Sequence, residues 1–174
     1  MPKGSVAHAY VDFMEREGLS AAGLVAEYDR FQRGRRYGDL MEWYVNRLRD
    51  THDLLHLLTG YDRDSLGEQC VLAFTYGQNL APGHIFIAYM GGFNVKRTTR
   101  SDAPIFKAIN EARKSGRNCP RLIEQSISSL LAEPLAEART RLHIGAAQFY
   151  GIAHDWFRAR GLDPYNLRGI AQAA

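Results

Sequence analysis

Residues 39–60 read D-L-M-E-W-Y-V-N-R-L-R-D-T-H-D-L-L-H-L-L-T-G, and this stretch decides the fold. Met41, Tyr44, Val45, Leu48 and Leu55 recur at the three- and four-residue spacing of one buried helix face. Asp39 stands where a helix N-cap is wanted and Gly60 where a left-handed stop is wanted, which predicts a helix over about 39–59. Between Leu48 and Leu55 the apolar stripe needs a residue at 51 or 52, and His52 takes that slot. The imidazole is therefore expected to point inward. There each ring nitrogen needs a partner, or the burial costs about 1–3 kcal/mol.

His56 follows His52 by one turn, about 40° away around the helix. Asp53 precedes His56 by three residues and flanks the same face. Glu68 follows His56 with eleven residues between them and must project from a neighbouring helix. Two imidazoles and two carboxylates converging from a helix pair suit a divalent metal, with His52, Asp53, His56 and Glu68 as the expected ligands. The same spacing also fits a hydrogen-bonded core His52, a partly exposed His56 and an ion-paired Asp53. Glu68 has a competing use too, because Ser65-Leu66-Gly67-Glu68 has the form of a capping box. Arg49, four before Asp53, either pairs with it along the helix or serves a substrate carboxylate or phosphate. Zinc suits a tetrahedral version of the site, and magnesium, manganese or ferrous iron suit its oxygen donors. A closed shell would be structural, whereas an open position would let the ion polarise a substrate.

Working outward, the punctuation is helical. Val6, Tyr10, Phe13 and Met14 share a face, and Gly18 stops them. Ser20 can cap a segment presenting Leu24, Val25, Tyr28 and Phe31, ended by Gly34. Ser65 opens a helix to about Leu80, and Pro82 opens a short apolar one to Met90. Gly91 and Gly92 are expected to break it before a basic loop containing Lys96, Arg97 and Arg100. Pro104, Pro120 and Pro134 each open a further helix, and a last one runs over about 146–160 to Gly161. No sustained two-residue alternation marks a strand. The expectation is an all-α fold, a single multi-helix domain over 1–174 packed as an orthogonal or irregular bundle. His154-Asp155 reads as a solvated helix face, and His8, His84 and His143 stand isolated.

The 174 residues are 45% hydrophobic and 24% charged, enough to bury a core without disulfides. Cys70 and Cys119 fit no ligand spacing and read as reduced thiols of a cytosolic protein. The net charge of +3 is too small to argue for nucleic acid but favours anionic surfaces such as phospholipid headgroups. The arginines over 30–36 invite the same reading. No secretory signal opens the chain, and no run approaches the roughly 18 apolar residues of a membrane span.

The stretch from Arg47 through L-R-D-T-H-D-L-L-H-L-L-T-G to Tyr61, running on to Gly67 and Glu68, resembles the coenzyme Q biosynthesis protein four family. That family carries H-D-x-x-H-x11-E, matched here at every fixed position. The opening around Tyr10-Val-Asp-Phe-Met and the segments at Glu133-Pro-Leu and Glu137-Ala-Arg resemble it as well. The likeness covers about 1–144, leaving 145–174 as a C-terminal helical extension. It implies an all-helical protein of ubiquinone biosynthesis with a zinc-type site at His52, Asp53, His56 and Glu68. It also implies peripheral membrane association, a bound polyprenylated quinone precursor and organisation of other proteins of that pathway. An activity attributed to the family is removal of the ring carboxylate at C1 with hydroxylation of that carbon.

The expected function is metal-dependent C1 decarboxylation of polyprenylated hydroxybenzoates. The alternative is a non-catalytic lipid-binding scaffold with a structural metal. A self-associating chain at the cytoplasmic, inner face of a membrane is expected in either case. Arg49 or the metal would orient the ring carboxylate. Ile85, Phe86, Ile87, Tyr89 and Met90 are candidates to line a groove for the prenyl tail, where each buried methylene gives about 0.8 kcal/mol. A phosphohydrolase of the HD type would need supporting histidines and an aspartate that the sequence does not supply.

Overall fold

The computed structural model describes residues 2–18 and 38–167, less the side chains at 44–46 and 48–50. The predicted helix over 20–34, the arginine cluster over 30–36 and the Arg49 side chain lie outside the described residues. Among those described, the protein is all-α, as its sequence predicts. The helices are α1 (Val6–Arg16), α2 (Leu40–Thr59), α3 (Ser65–Asn79), α4 (Pro82–Thr99), α5 (Ile105–Asn118), α6 (Ile127–Ala132), α7 (Leu135–Arg141) and α8 (Gln148–Ala159). Short 3-10 turns sit at Leu122–Glu124 and Pro164–Asn166.

The α3 helix is central, with α2, α4 and α5 packed around it. Its Leu66, Cys70, Val71, Ala73 and Phe74 have no exposed surface, so it is apolar on nearly every side. The closest approach is to α5. A Cβ on Gly116 would stand 2.1 Å from the carbonyl oxygen of Phe74, and one on Gly77 would stand 2.6 Å from that of Arg113. These two glycines let backbone meet backbone, and α5 presents Ile105, Ala108, Ile109 and Ala112 along the rest of the contact.

Caps set most helix ends where the sequence places them. The Asp39 side chain accepts from the Glu42 amide at 2.8 Å, and Gly60 closes α2 at φ 74°. Arg139 then reaches back from α7. Its Nε donates to the Leu58 carbonyl at 2.9 Å and its terminal nitrogen to that of Leu57 at 2.8 Å, satisfying the open end of α2. The N-terminal segment is tied to the same region, the Val6 amide donating to the Glu133 carbonyl at 2.8 Å.

Two expectations need correction. The α4 helix does not stop at Met90 but runs through Gly91 and Gly92 to Thr99, and the expected basic loop is its last turn. Those glycines serve packing: a Cβ on Gly91 would strike the Gln69 side chain, and one on Gly92 would meet Ile109 at 2.5 Å. Lys96 and Arg97 sit at the helix C-terminus, where cations suit the dipole. Pro120 opens no helix of its own; the 3-10 turn follows it, and Ser126 caps α6. Among the described residues no helix is long and apolar enough to cross a membrane.

Candidate metal centre

The link over 60–64 folds the start of α3 back onto the end of α2. Asp64 is the N-cap of α3, its Oδ1 accepting from the amides of Leu66 at 2.9 Å and Gly67 at 3.2 Å. Gly67 is required by this fold-back, because a Cβ there would lie 1.8 Å from the Asp62 carbonyl oxygen. With Asp64 rather than Ser65 as the cap, Glu68 falls one position past the reach of a capping box. Its carboxylate turns to α2 instead.

There it meets both histidines. Glu68 Oε2 is 3.4 Å from His52 Nε2, and Glu68 Oε1 is 3.6 Å from His56 Nε2. The two imidazole Nε2 atoms are 3.3 Å apart, with their rings nearly perpendicular at 85°. One ligand atom from each of His52, His56 and Glu68 lies within 4.8 Å of the others, so the three could hold a metal ion. His56 Nδ1 lies 2.8 Å from the Tyr61 carbonyl, which can only accept. The bond therefore places the proton on Nδ1 and leaves the Nε2 lone pair facing the cluster.

The electrostatics follow from this packing. Burial alone would push the Glu68 carboxyl up, but hydrogen bonds and charge from His52 and His56 outweigh it and hold the group down at about 2. Burial likewise works against protonation of His56, yet Glu68, the Tyr61 carbonyl and the charge of Asp53 raise it above the ordinary histidine value. Phe13 of α1 lies nearly parallel to the His56 ring at 6.2 Å and closes the inner side. The outer side is open, since the His52 side chain remains 37% exposed and that of Glu68 28%.

His52, His56 and Glu68 thus come together as the sequence predicts, but the inward residue is His56, which is fully buried, and not His52. Asp53 is buried on the same helix and acts on His56 through its charge, while its carboxylate stands outside the three-residue group. Sequence reasoning missed Arg63, whose Nε is 3.9 Å from Glu68 Oε1 at the open rim. It also left His84 unassigned. Burial and the nearby His52 lower that ring's basicity, and its Nδ1 is enclosed without a hydrogen-bond partner.

His154 needs correction as well. It is 3% exposed rather than solvated, and its Nε2 lies 3.3 Å from Asp64 Oδ1, out of line for a hydrogen bond. Beside it the Tyr150 hydroxyl donates to Asp64 Oδ2. Burial and the Asp64 charge keep that phenol protonated by raising its pKa. The only signal in the sequence was the i, i+3, i+4, i+7 spacing of Tyr150, Ala153, His154 and Phe157, all buried on α8.

The family model described as coenzyme Q (ubiquinone) biosynthesis protein Coq4 matches residues 1–148, and the chain belongs to that family. Membership places it in ubiquinone biosynthesis. No curated protein matches the chain.

Proposed function

We propose that this Coq4-family chain binds a divalent cation, zinc before others, and there removes the C1 carboxylate of a polyprenylated hydroxybenzoate. The observation that carries the reading is the spacing of the three donors. Ligand atoms about 2.0–2.1 Å from a tetrahedral ion stand about 3.3 Å apart, whereas octahedral magnesium needs about 2.9 Å. The two imidazole nitrogens stand 3.3 Å apart, as the tetrahedral case needs, and Glu68 approaches them at 3.4 and 3.6 Å, one carboxylate oxygen to each ring. Asp53, buried beside His56 but outside the three-donor group, is the carboxylate we assign to support His56 through its charge, which leaves the fourth tetrahedral position open. The exposure of His52 and Glu68 favours a working site over the closed shell of a structural metal.

The ion, when bound, would supply a Lewis acid for the ring carboxylate and phenolic oxygen. The protein's own groups do the rest. Arg63, at the open rim, would grip the carboxylate through its planar guanidinium, with Arg49 as the second arginine for that task. Phe13 keeps water from the buried side of His56. The carboxylate leaves as carbon dioxide, and its electron pair stays on C1. Dioxygen takes that pair with two protons and leaves as hydrogen peroxide, and water supplies the hydroxyl oxygen at C1.

For the tail and the membrane, α4 offers the surface. Phe86, Met90 and Phe93 are 67%, 53% and 56% exposed, and their four- and three-residue spacing aligns them with Arg97 on one stripe. Apolar contact ending in cations fits an anionic bilayer, on whose inner face the chain would sit with its partners and further copies of itself. Of the sequence's candidates for the tail, Ile85 packs on the core and Tyr89 stacks on Phe106 at 6.0 Å, leaving Phe86, Ile87 and Met90 free for it.

Elemental analysis and carbon dioxide release test the reading. The parent is expected to carry about one ion per chain and His56→Ala almost none, with Glu68→Gln folded but unable to release carbon dioxide. A parent that takes up no ion, or a fully active Glu68→Gln, would refute it. A metal-loaded parent that binds the lipid without turnover would leave the scaffold reading.

A further inference from the structure

The turn that joins the two ligand-bearing helices is held from outside by the far end of the chain. The Tyr150 hydroxyl accepts from the Asp62 amide at 3.2 Å while donating to Asp64 Oδ2. The Tyr150 ring stands edge-on to Tyr61 at 5.4 Å, and Tyr61 is the residue whose carbonyl orients His56. His154 lies against the other oxygen of Asp64, 3.3 Å away. Tyr165 completes the set by donating to Asp62 Oδ2 at 2.8 Å.

Residues 61, 62 and 64 are therefore all held by residues 150, 154 and 165. The three holders lie beyond residue 148, where the family match ends. Asp64 and His154 are almost wholly buried and Tyr150 is 6% exposed, so their contacts are interior structure, while the Tyr165 bond to Asp62 lies at the exposed rim. The turn has one ligand at each end, His56 before it and Glu68 after it. Any slack at Asp64 frees the first turn of α3, and with it Glu68. Slack at Tyr61 frees the His56 ring.

We infer that the C-terminal segment is a positioning clamp: Tyr150, His154 and Tyr165 set the metal affinity of a site they do not touch. The inference rests on the metal reading proposed above. Outer residues that orient metal ligands typically change affinity by about 10–100-fold when removed.

The test uses the full chain. Tyr150→Phe keeps the ring against Tyr61 and deletes only the hydroxyl, Tyr165→Phe removes the single bond at the exposed rim, and Ile152→Ala on the exposed face of α8 is the control. Zinc affinity by competition with a chelating dye and amide exchange at Leu66 and Gly67 are the readouts. Tyr150→Phe is expected to fold, bind zinc at least about tenfold more weakly and exchange those amides faster, with Tyr165→Phe changed in the same sense and Ile152→Ala unchanged. A Tyr150→Phe chain of lower stability but unaltered zinc affinity would overturn the clamp, because a merely structural role predicts that result. If Tyr150→Phe fails to fold, unaltered affinity in Tyr165→Phe would overturn it equally. A parent that binds no zinc defeats the metal reading and the affinity claim with it. Amide exchange would then still show whether the segment holds the turn.

Discussion

Gly116→Ala sets two opposed effects against each other at the crossing of α3 and α5. Alanine is the better helix former by about 0.8–1.0 kcal/mol. Its Cβ, however, would stand 2.1 Å from the Phe74 carbonyl oxygen, and the obstacle is backbone that no rotamer change can move. A carbon–oxygen contact needs about 3.3 Å, so the helices must separate by roughly 1.2 Å along that line. Overpacking a core costs about 1–3 kcal/mol and occasionally more, and this case lies at the upper end because Phe74 is fully buried. The net expectation is a loss of about 2 kcal/mol. With a urea slope of about 2 kcal/mol/M, the unfolding midpoint followed by circular dichroism falls by about 1 M. Gly151→Ala is the matched control. It lies in α8 with nothing within 4 Å of its Cβ position, so the propensity gain stands alone and stability rises by about 0.5–1 kcal/mol. A Gly116→Ala chain as stable as the parent, or a Gly151→Ala chain that loses stability, would refute the reasoning.

Without metal, the cluster's contribution to stability should peak at mildly acid pH. The lowered Glu68 stabilises above its free value of 4.5 and loses its effect as pH falls toward about 2. The raised His56 stabilises fully below its free value of 6.5 and loses its effect as pH rises through its folded value. Chelator-treated parent and Glu68→Gln should therefore differ most between about pH 4.5 and 6.5, and denaturation midpoints across pH 3–9 that stay parallel would count against the pairing. Arg139→Met should lower stability by about 1–3 kcal/mol by stripping the Leu57 and Leu58 carbonyls, and Arg139→Lys should recover only part of it in thermal melts. Replacing Phe86, Met90 and Phe93 together by glutamine should abolish sedimentation with anionic vesicles while leaving the melting temperature within a few degrees. Unchanged sedimentation would show that another surface meets the bilayer.

Where local chemistry decides, the fold was legible. Asp39 and Gly60 bound α2 because a cap acts on its own neighbouring amides and carbonyls, and Pro82 and Pro134 begin helices because a helix start leaves its first amides unbonded and suits proline's fixed φ. The diglycine in α4 misled because its cause lies on other helices, at Gln69 and Ile109, and nothing in the local string distinguishes close approach from a break. The meeting of His52, His56 and Glu68 was readable from spacing, but which histidine lies inside was not. A helix rotation of about 40° exchanges His52 for His56, and packing against elements such as Phe13 of α1 decides it. Arg63 sits in a turn without periodicity, and His154 lies buried against Asp64, a neighbour that no helical pattern could reveal.

The clamp's two halves lie far apart along the chain, Tyr150 coming 86 positions after Asp64. A ribosome adds about 5–20 residues per second, so the ligand-bearing turn leaves it roughly 4–17 s before its restraint is made. During synthesis the nascent helical pair presents its imidazoles and carboxylate unbraced. On the metal reading proposed above, tight capture of an ion would be deferred until residues 150–165 have emerged.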